Sequence, residues 1–147
     1  MARQISQQGI NLIKKFEGCR FESYQDQGGV WTIGYGHTGN VGPGLRINQI
    51  QADKALLDDL IHVENGIDCL VTVPLSQNQY DALCSFVFNI GRGNFKDSTC
   101  LNRLNRGLYL EAANWMLPWH RVAGVENEGL LKRRTEERDL FLRPDNV

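Results

Sequence analysis

Apolar positions recur at helical spacing over most of this chain, with one stretch where the period changes. Ile10, Ile13 and Phe16, with Leu12 beside them, predict a helix that runs on to Glu17. Ser6 is placed to cap its start, Ile5 and Ile10 occupy the staple positions, and Gly18 supplies the left-handed residue that stops it. From Phe21 to Tyr35 two short β-prone runs flank Asp26-Gln27-Gly28-Gly29, the pattern of a hairpin. Gly36 to Gly44, interrupted by Gly39-Asn40 and Gly42-Pro43-Gly44, reads as a loop.

Beyond the loop the helical period returns. Asn48-Gln49-Ile50-Gln51 is close to a capping box, and the helix it opens carries Leu56, Leu57, Leu60, Ile61, Ile67, Leu70 and Val71 on one face until Val73-Pro74 ends it. Gly66 inside it costs about 1 kcal/mol relative to Ala and marks a candidate break. Ser76-Gln77-Asn78-Gln79, with Leu75 and Tyr80 as staple, starts a nearly all-apolar helix through Leu83, Phe86, Val87 and Ile90 to Gly91. Such a helix belongs at the centre of a core. Ser98 or Thr99 caps the next helix, which Gly107 ends; Leu108 to Met116 forms another, broken by Pro118; Leu130 to Leu142 closes the chain before Pro144. The pattern predicts a mainly helical α+β protein with one small hairpin.

Composition narrows the function classes. A length of 147 residues suits one domain, or two small lobes sharing a core. A net charge of −1 gives no overall pull toward nucleic acid or an anionic membrane. No run approaches the roughly 18 consecutive apolar residues of a membrane span, and Met1 to Ser6 lacks the apolar core of a secretory signal. Cys19, Cys69, Cys84 and Cys100 form no C-x-x-C and have no nearby His pair, so zinc is not expected, and the thiols are expected to be free. No G-x-S-x-G elbow is present. Gly34-Tyr35-Gly36-His37-Thr38-Gly39 matches the dinucleotide fingerprint in letters only, because Gly42-Pro43-Gly44 stands where a helix would have to open. Those glycines fit a tight turn or a close backbone approach.

The candidate chemistry lies around the hairpin: Glu17 at a helix end, Asp26 at the rim, and Thr32 on the returning strand. Two carboxyl groups held apart suit glycoside hydrolysis, one protonating the leaving oxygen and the other activating the attacking group. By spacing alone the pair equally fits a solvated helix-end Glu and a turn-forming Asp.

The wording of the stretch is more specific. Glu17, Asp26 and Thr32 within Thr32-Ile33-Gly34-Tyr35-Gly36-His37-Thr38-Gly39 closely resemble the active-site signature of the phage-type lysozymes (glycoside hydrolase family 24, the endolysins of tailed phages). The resemblance continues through Gln51-Ala52-Asp53, Gln79-Tyr80-Asp81-Ala82-Leu83, Phe86-Val87-Phe88-Asn89-Ile90-Gly91, and Arg133-Arg134 with Glu137 to Leu140-Phe141. It implies a two-lobed lysozyme-like fold: a hairpin lobe over about 18–47, a connecting helix over about 48–72, and a helical lobe over about 73–147 plus the N-terminal helix. It also implies a muramidase that cuts the β-1,4 bond between N-acetylmuramic acid and N-acetylglucosamine in peptidoglycan; the Thr32 hydroxyl beside Asp26, a second hydrogen-bond partner for a water, predicts inversion. Glu17 would be the general acid, with Asp26 and Thr32 positioning a water. His37, Thr38, Phe88 and Ser98 would be substrate contacts, and no metal or cofactor would be needed. The resemblance further implies a monomer made in the host cytoplasm, with a holin partner giving access to the periplasmic wall.

Three alternatives stay open from the residues. A silent wall-binding domain would share the fold but would not need Glu17, Asp26 and Thr32 together. An enzyme of the same fold could act on chitin. Lys132, Arg133, Arg134 and Arg138 read by default as the solvated face of the last helix, or else one of them faces a cleft, pairing with Glu17 or drawing in anionic peptide stems. Among Tyr24, Trp31, Tyr35, Phe88 and Trp119, most are expected in the core and one or two against sugar.

Overall fold

Gly18 stops the first helix as its sequence position suggests: φ is +66° and its N–H donates to Lys14 O at 3.1 Å. The computed structural model describes residues 3–145, so the first two residues of the N-terminal stretch lie outside the description. The elements are α1 (Gln7–Glu17), β1 (Arg20–Gln25), β2 (Trp31–Gly34), α2 (Gln49–Leu70), α3 (Gln77–Ile90), α4 (Arg92–Lys96), α5 (Thr99–Asn105), α6 (Tyr109–Asn114), β3 (Arg121–Val122), β4 (Val125–Glu126) and α7 (Glu128–Leu142). The protein is thus mainly helical, with a small two-stranded hairpin sheet. The chain divides into two compact units: Asn11–His62, and the segments before and after it.

In the unit from Asn11 to His62, β1 and β2 pair antiparallel with Tyr24 opposite Thr32 and Gln25 opposite Trp31. Asp26 closes the turn through its backbone, donating to Val30 O and accepting from Gly29 N, each at 2.9 Å. The segment after the predicted loop returns to β1 through an isolated bridge: Ser23 N–H donates to Leu45 O, Ile47 N–H to Phe21 O, and Glu22 lies opposite Arg46. Its alternation is too brief to stand out against the neighbouring glycines. Asn48 and Gln51 cap α2 reciprocally, each side-chain oxygen accepting the other's backbone N–H. Ile13, Ile33, Ala52, Leu56 and Leu60 form the unit's core. Leu57 and Ile61, predicted on the same face as Leu56 and Leu60, are instead about half exposed. One residue further along a helix is a rotation of roughly 100°, which carries both out of the buried stripe.

In the other unit, α2 runs through Gly66 without a break. A Cβ there would come within 3.2 Å of Arg92 Cδ, so the glycine makes room for the Arg92 methylenes rather than interrupting the helix. Ser76 and Gln79 form the predicted capping box of α3, whose residues 80–87 are all buried. Phe86 meets Phe95 edge-on at 6.2 Å, and Leu83, Leu104, Met116 and Phe141 complete the core. Ser98 caps α5 and Asn127 caps α7. The hairpin β3–β4, absent from the sequence reading, turns at Ala123-Gly124, both at positive φ. At the chain's start the Ser6 hydroxyl does not cap α1. It donates to the Asp81 carboxylate, which also accepts the Ser6 N–H at 2.9 Å.

The arginines of the last helix need a larger correction. Arg133 and Arg134 are buried, not solvated, and both point at the buried carboxylate of Glu137. Arg134 Nε lies 2.6 Å from Glu137 Oε1, and Arg134 Nη2 and Arg133 Nε donate to Oε2 at 3.1 and 3.2 Å. Ser85 Oγ donates to Oε2 at 2.5 Å, Arg133 Nη2 to Ser85 O at 3.1 Å, and Arg134 Nη1 to Asn89 Oδ1 at 2.9 Å. Burial pushes the Glu137 carboxyl above its ordinary range, against the pull of Arg134, Arg133 and Ser85. Charge spacing along the sequence resembled a surface ladder because an (i, i+3) or (i, i+4) pair looks the same whichever side of the helix it faces.

All four cysteines are free thiols. Cys84 and Cys100 are buried, and burial pushes both thiols up, Cys100 to about 12, so neither supplies a reactive thiolate. Adding reductant is therefore expected to leave lytic activity and melting temperature unchanged; a clear loss of either would reveal a bridge formed in solution.

Candidate active site

Glu17 is the last residue of α1, and its side chain reaches back to the turn after β2. A Cβ built on Gly36 would lie 2.8 Å from Glu17 Oε1, and Gly36 has φ of +77°. Two requirements therefore meet at Gly36, a left-handed backbone and the close approach of a carboxylate. The neighbouring Ile33 and His37 exchange backbone hydrogen bonds at 2.9 Å, which fixes this turn.

Asp26 is held by the turn that it makes. Its Oδ1 accepts the N–H groups of Gly28 and Val30, both at 2.9 Å, leaving Oδ2 without a partner among the described residues. A carboxylate fixed through one oxygen presents the other in a set direction. Thr32 is only 4% exposed, and its hydroxyl donates to Val30 O at 2.9 Å. With its single proton committed, that oxygen is left to accept.

His37 Nδ1 lies 2.8 Å from Asp59 Oδ2 of α2. Asp59 thereby orients the ring, and no local sequence signal links two residues 22 positions apart. A second brace was also missed. Lys14 pairs with Asp53 at 3.0 Å, and Gln49 Nε2 donates to Asp53 Oδ1 at 2.8 Å and to Tyr35 Oη at 3.0 Å. The hydrogen bond from Lys14 holds the exposed Asp53 carboxyl below its usual range, and the same bond raises Lys14.

The remaining predicted contacts divide between the units. Thr38 is exposed and belongs with Glu17, Asp26, Thr32 and His37 in the unit Asn11–His62. Phe88 is half-buried on α3 in the other unit, and Ser98, buried at the start of α5, lies in that unit too. The Ser98 hydroxyl is already occupied, donating to Phe95 O at 2.7 Å and accepting from Leu101 N at 3.1 Å. Of the aromatics, Tyr35 is buried, whereas Tyr24, Trp31, Phe88 and Trp119 are half-buried. Among the described residues no cluster of His, Cys, Asp and Glu could hold a metal ion.

A helix-end glutamate set against a hairpin that carries an aspartate and a threonine, on a mainly helical frame, is a lysozyme-like arrangement. The phage lysozyme family model matches residues 14–137, and the chain belongs to that family. It is 47% identical to the endolysin of Salmonella phage P22 over 144 residues, covering 95% of this chain and 98% of that one. It is also 47% identical to the endolysin of Bacillus phage B103 over 141 residues, where it spans 94% of its own length but only 54% of the relative's. The crystal structure of a point mutant of P22 lysozyme superposes with a TM-score of 0.86 at 44% identity, covering 96% of this chain and 99% of that one. Family membership makes the protein a glycoside hydrolase of the muramidase type.

Proposed function

We propose that this protein is an endolysin that hydrolyses the β-1,4 bond between N-acetylmuramic acid and N-acetylglucosamine, acting as a single lysozyme domain. Glu17 protonates the leaving glycosidic oxygen. Asp26 takes a proton from a water, and that water attacks the anomeric carbon from the opposite face, inverting its configuration. The observation that carries this reading is the paired restraint on Asp26 and Thr32. One Asp26 oxygen is locked by two backbone N–H groups, and the Thr32 hydroxyl can only accept. Two fixed acceptors suit the two protons of a water, whereas direct attack by a carboxylate would not need the threonine.

His37, Thr38, Phe88 and Ser98 are proposed as contacts to the glycan strand. For Ser98 the contribution would be indirect, through the helix start that it caps. The chain would be synthesised in the host cytoplasm and reach the periplasmic wall through a holin-type partner, working there as a monomer. Among the described residues, no helix is long and apolar enough to cross a membrane.

NMR of the first-formed reducing sugar tests the mechanism. The α-anomer is expected, with Glu17 and Asp26 carboxyl groups about 6.5–9.5 Å apart in a complex with substrate. A β-anomer, or a trapped glycosyl adduct on Asp26, would overturn it. Thr32→Ala is expected to lower kcat by tenfold or more while leaving KM nearly unchanged, because it disorders the nucleophile rather than the sugar. The competing reading, a silent wall-binding domain, predicts no clearing of permeabilised Gram-negative cells by the unmodified protein.

A further inference from the structure

Arg20, the first residue of β1, is exposed, and its guanidinium carbon lies 4.3 Å from the centroid of the Tyr24 ring. Tyr24 is directly opposite Thr32 in the hairpin. Residues directly opposite in an antiparallel pair share a face of the sheet, so the Tyr24 ring lies on the face that carries Thr32; the register of β1 is irregular between Arg20 and Tyr24, and it is the stack on the ring that brings the cation there. The acid between them on the strand is Glu22, and it is engaged by Arg46. Lys14 of the same unit is matched by Asp53. Arg20 has no carboxylate partner among the described residues; its contact is the ring.

A guanidinium stacked on an aromatic face loses freedom but keeps its N–H edge, which matches the two oxygens of a carboxylate. The stack thus holds an unmatched cation in a fixed place with its donors available. Resting on the proposed cleavage of peptidoglycan, we infer that Arg20, braced by Tyr24, receives a carboxylate of the peptide stem carried by N-acetylmuramic acid. It is a specificity residue, favouring stem-bearing strands over bare glycan. Of the last-helix arginines that the sequence offered for this role, Arg133 and Arg134 are buried against Glu137, and Arg138 pairs with Asp139.

The test compares two substrates prepared from one batch of purified sacculi: glycan strands with stems, and the same strands after an amidase has removed them. For Arg20→Gln, KM is expected to rise about fivefold on stem-bearing strands, the scale of a partly exposed charge pair, with kcat unchanged. On stem-free strands KM should not move. Arg20→Lys should fall between, because it keeps the charge and loses the planar edge. Tyr24→Phe should match the unmodified protein, while Tyr24→Leu should repeat the Arg20→Gln pattern.

The inference is overturned if Arg20→Gln leaves KM on stem-bearing strands unchanged, or raises KM equally on both substrates. If bare strands are not turned over, the same fivefold difference is read as sedimentation binding to each substrate in a Glu17→Gln background. Loss of all cleavage in the unmodified protein would instead count against the proposed reaction. The two failures are therefore distinguishable.

Discussion

Glu17→Gln is expected to abolish lysis of outer-membrane-permeabilised Gram-negative cells while the protein stays folded. The amide keeps the size and polarity of the carboxyl group, so the side chain still fits against Gly36, where a Cβ would already stand 2.8 Å from Oε1. What disappears is the transferable proton. General acid catalysis contributes roughly 10²–10⁴-fold, so turbidity clearing should fall by at least that lower factor. Circular dichroism and melting temperature serve as controls. A purified variant that clears cells at a near-normal rate would remove Glu17 from the acid's role, whatever the fold looks like.

The second large effect is on stability. Glu137→Ala strands the guanidinium groups of Arg133 and Arg134 in the interior and deprives the Ser85 hydroxyl of its acceptor. Breaking a buried pair by removing one partner costs about 3–5 kcal/mol, because the desolvation of the survivor is no longer offset. For a chain of this size that corresponds to a melting temperature lower by roughly 10–15 °C. The destabilisation should exceed that of Glu137→Gln, whose amide oxygen still accepts from Ser85 and the arginines. Urea denaturation of both variants measures it. A loss below about 1 kcal/mol for Glu137→Ala would mean that water reaches the arginines and the cluster is not dry. Replacing all three charges with apolar residues of matching volume should cost far less than the single change, since the cluster's own formation is nearly balanced.

Local rules made much of this fold legible. The reciprocal caps at Asn48–Gln51 and Ser76–Gln79, the hairpin around Asp26–Gly29 and the buried run from Tyr80 to Val87 all follow from spacing and turn chemistry within a few residues. The misses share a physical cause, which is that a distant element decided them. Gly66 invites a break in α2 until Arg92 is known to lie across it. Ser6 has the chemistry of a cap, yet a buried aspartate 75 residues away claims its hydroxyl. Arg133 and Arg134 keep their helical spacing, but their side of α7 is set by α3 packing against it. The candidate site divides in the same way. Glu17, Asp26 and Thr32 could be picked out from sequence because they sit in one continuous stretch. Asp59 behind His37 and the Tyr24 ring beneath Arg20 emerge only once the strands and α2 are in place.

The first turn of α3 has a consequence for rearranging the molecule. Gln77 accepts from Arg3 Nη1 and donates from its side chain to Gln4 O, and both the Gln77 and Asn78 amides donate to the Asp145 carboxylate. Those two amides hold the Asp145 carboxyl below its usual range. Asn78 also binds Gln8 on one side and the carbonyls of Arg143 and Pro144 on the other. The two ends of the described chain are therefore stitched to the same two residues. A short, flexible bridge from the segment after Asp145 to the one before Arg3 would not have to cross the protein. The order of elements could then be cyclised and reopened at an exposed turn such as Ala123-Gly124, with α3 still capped by the same partners.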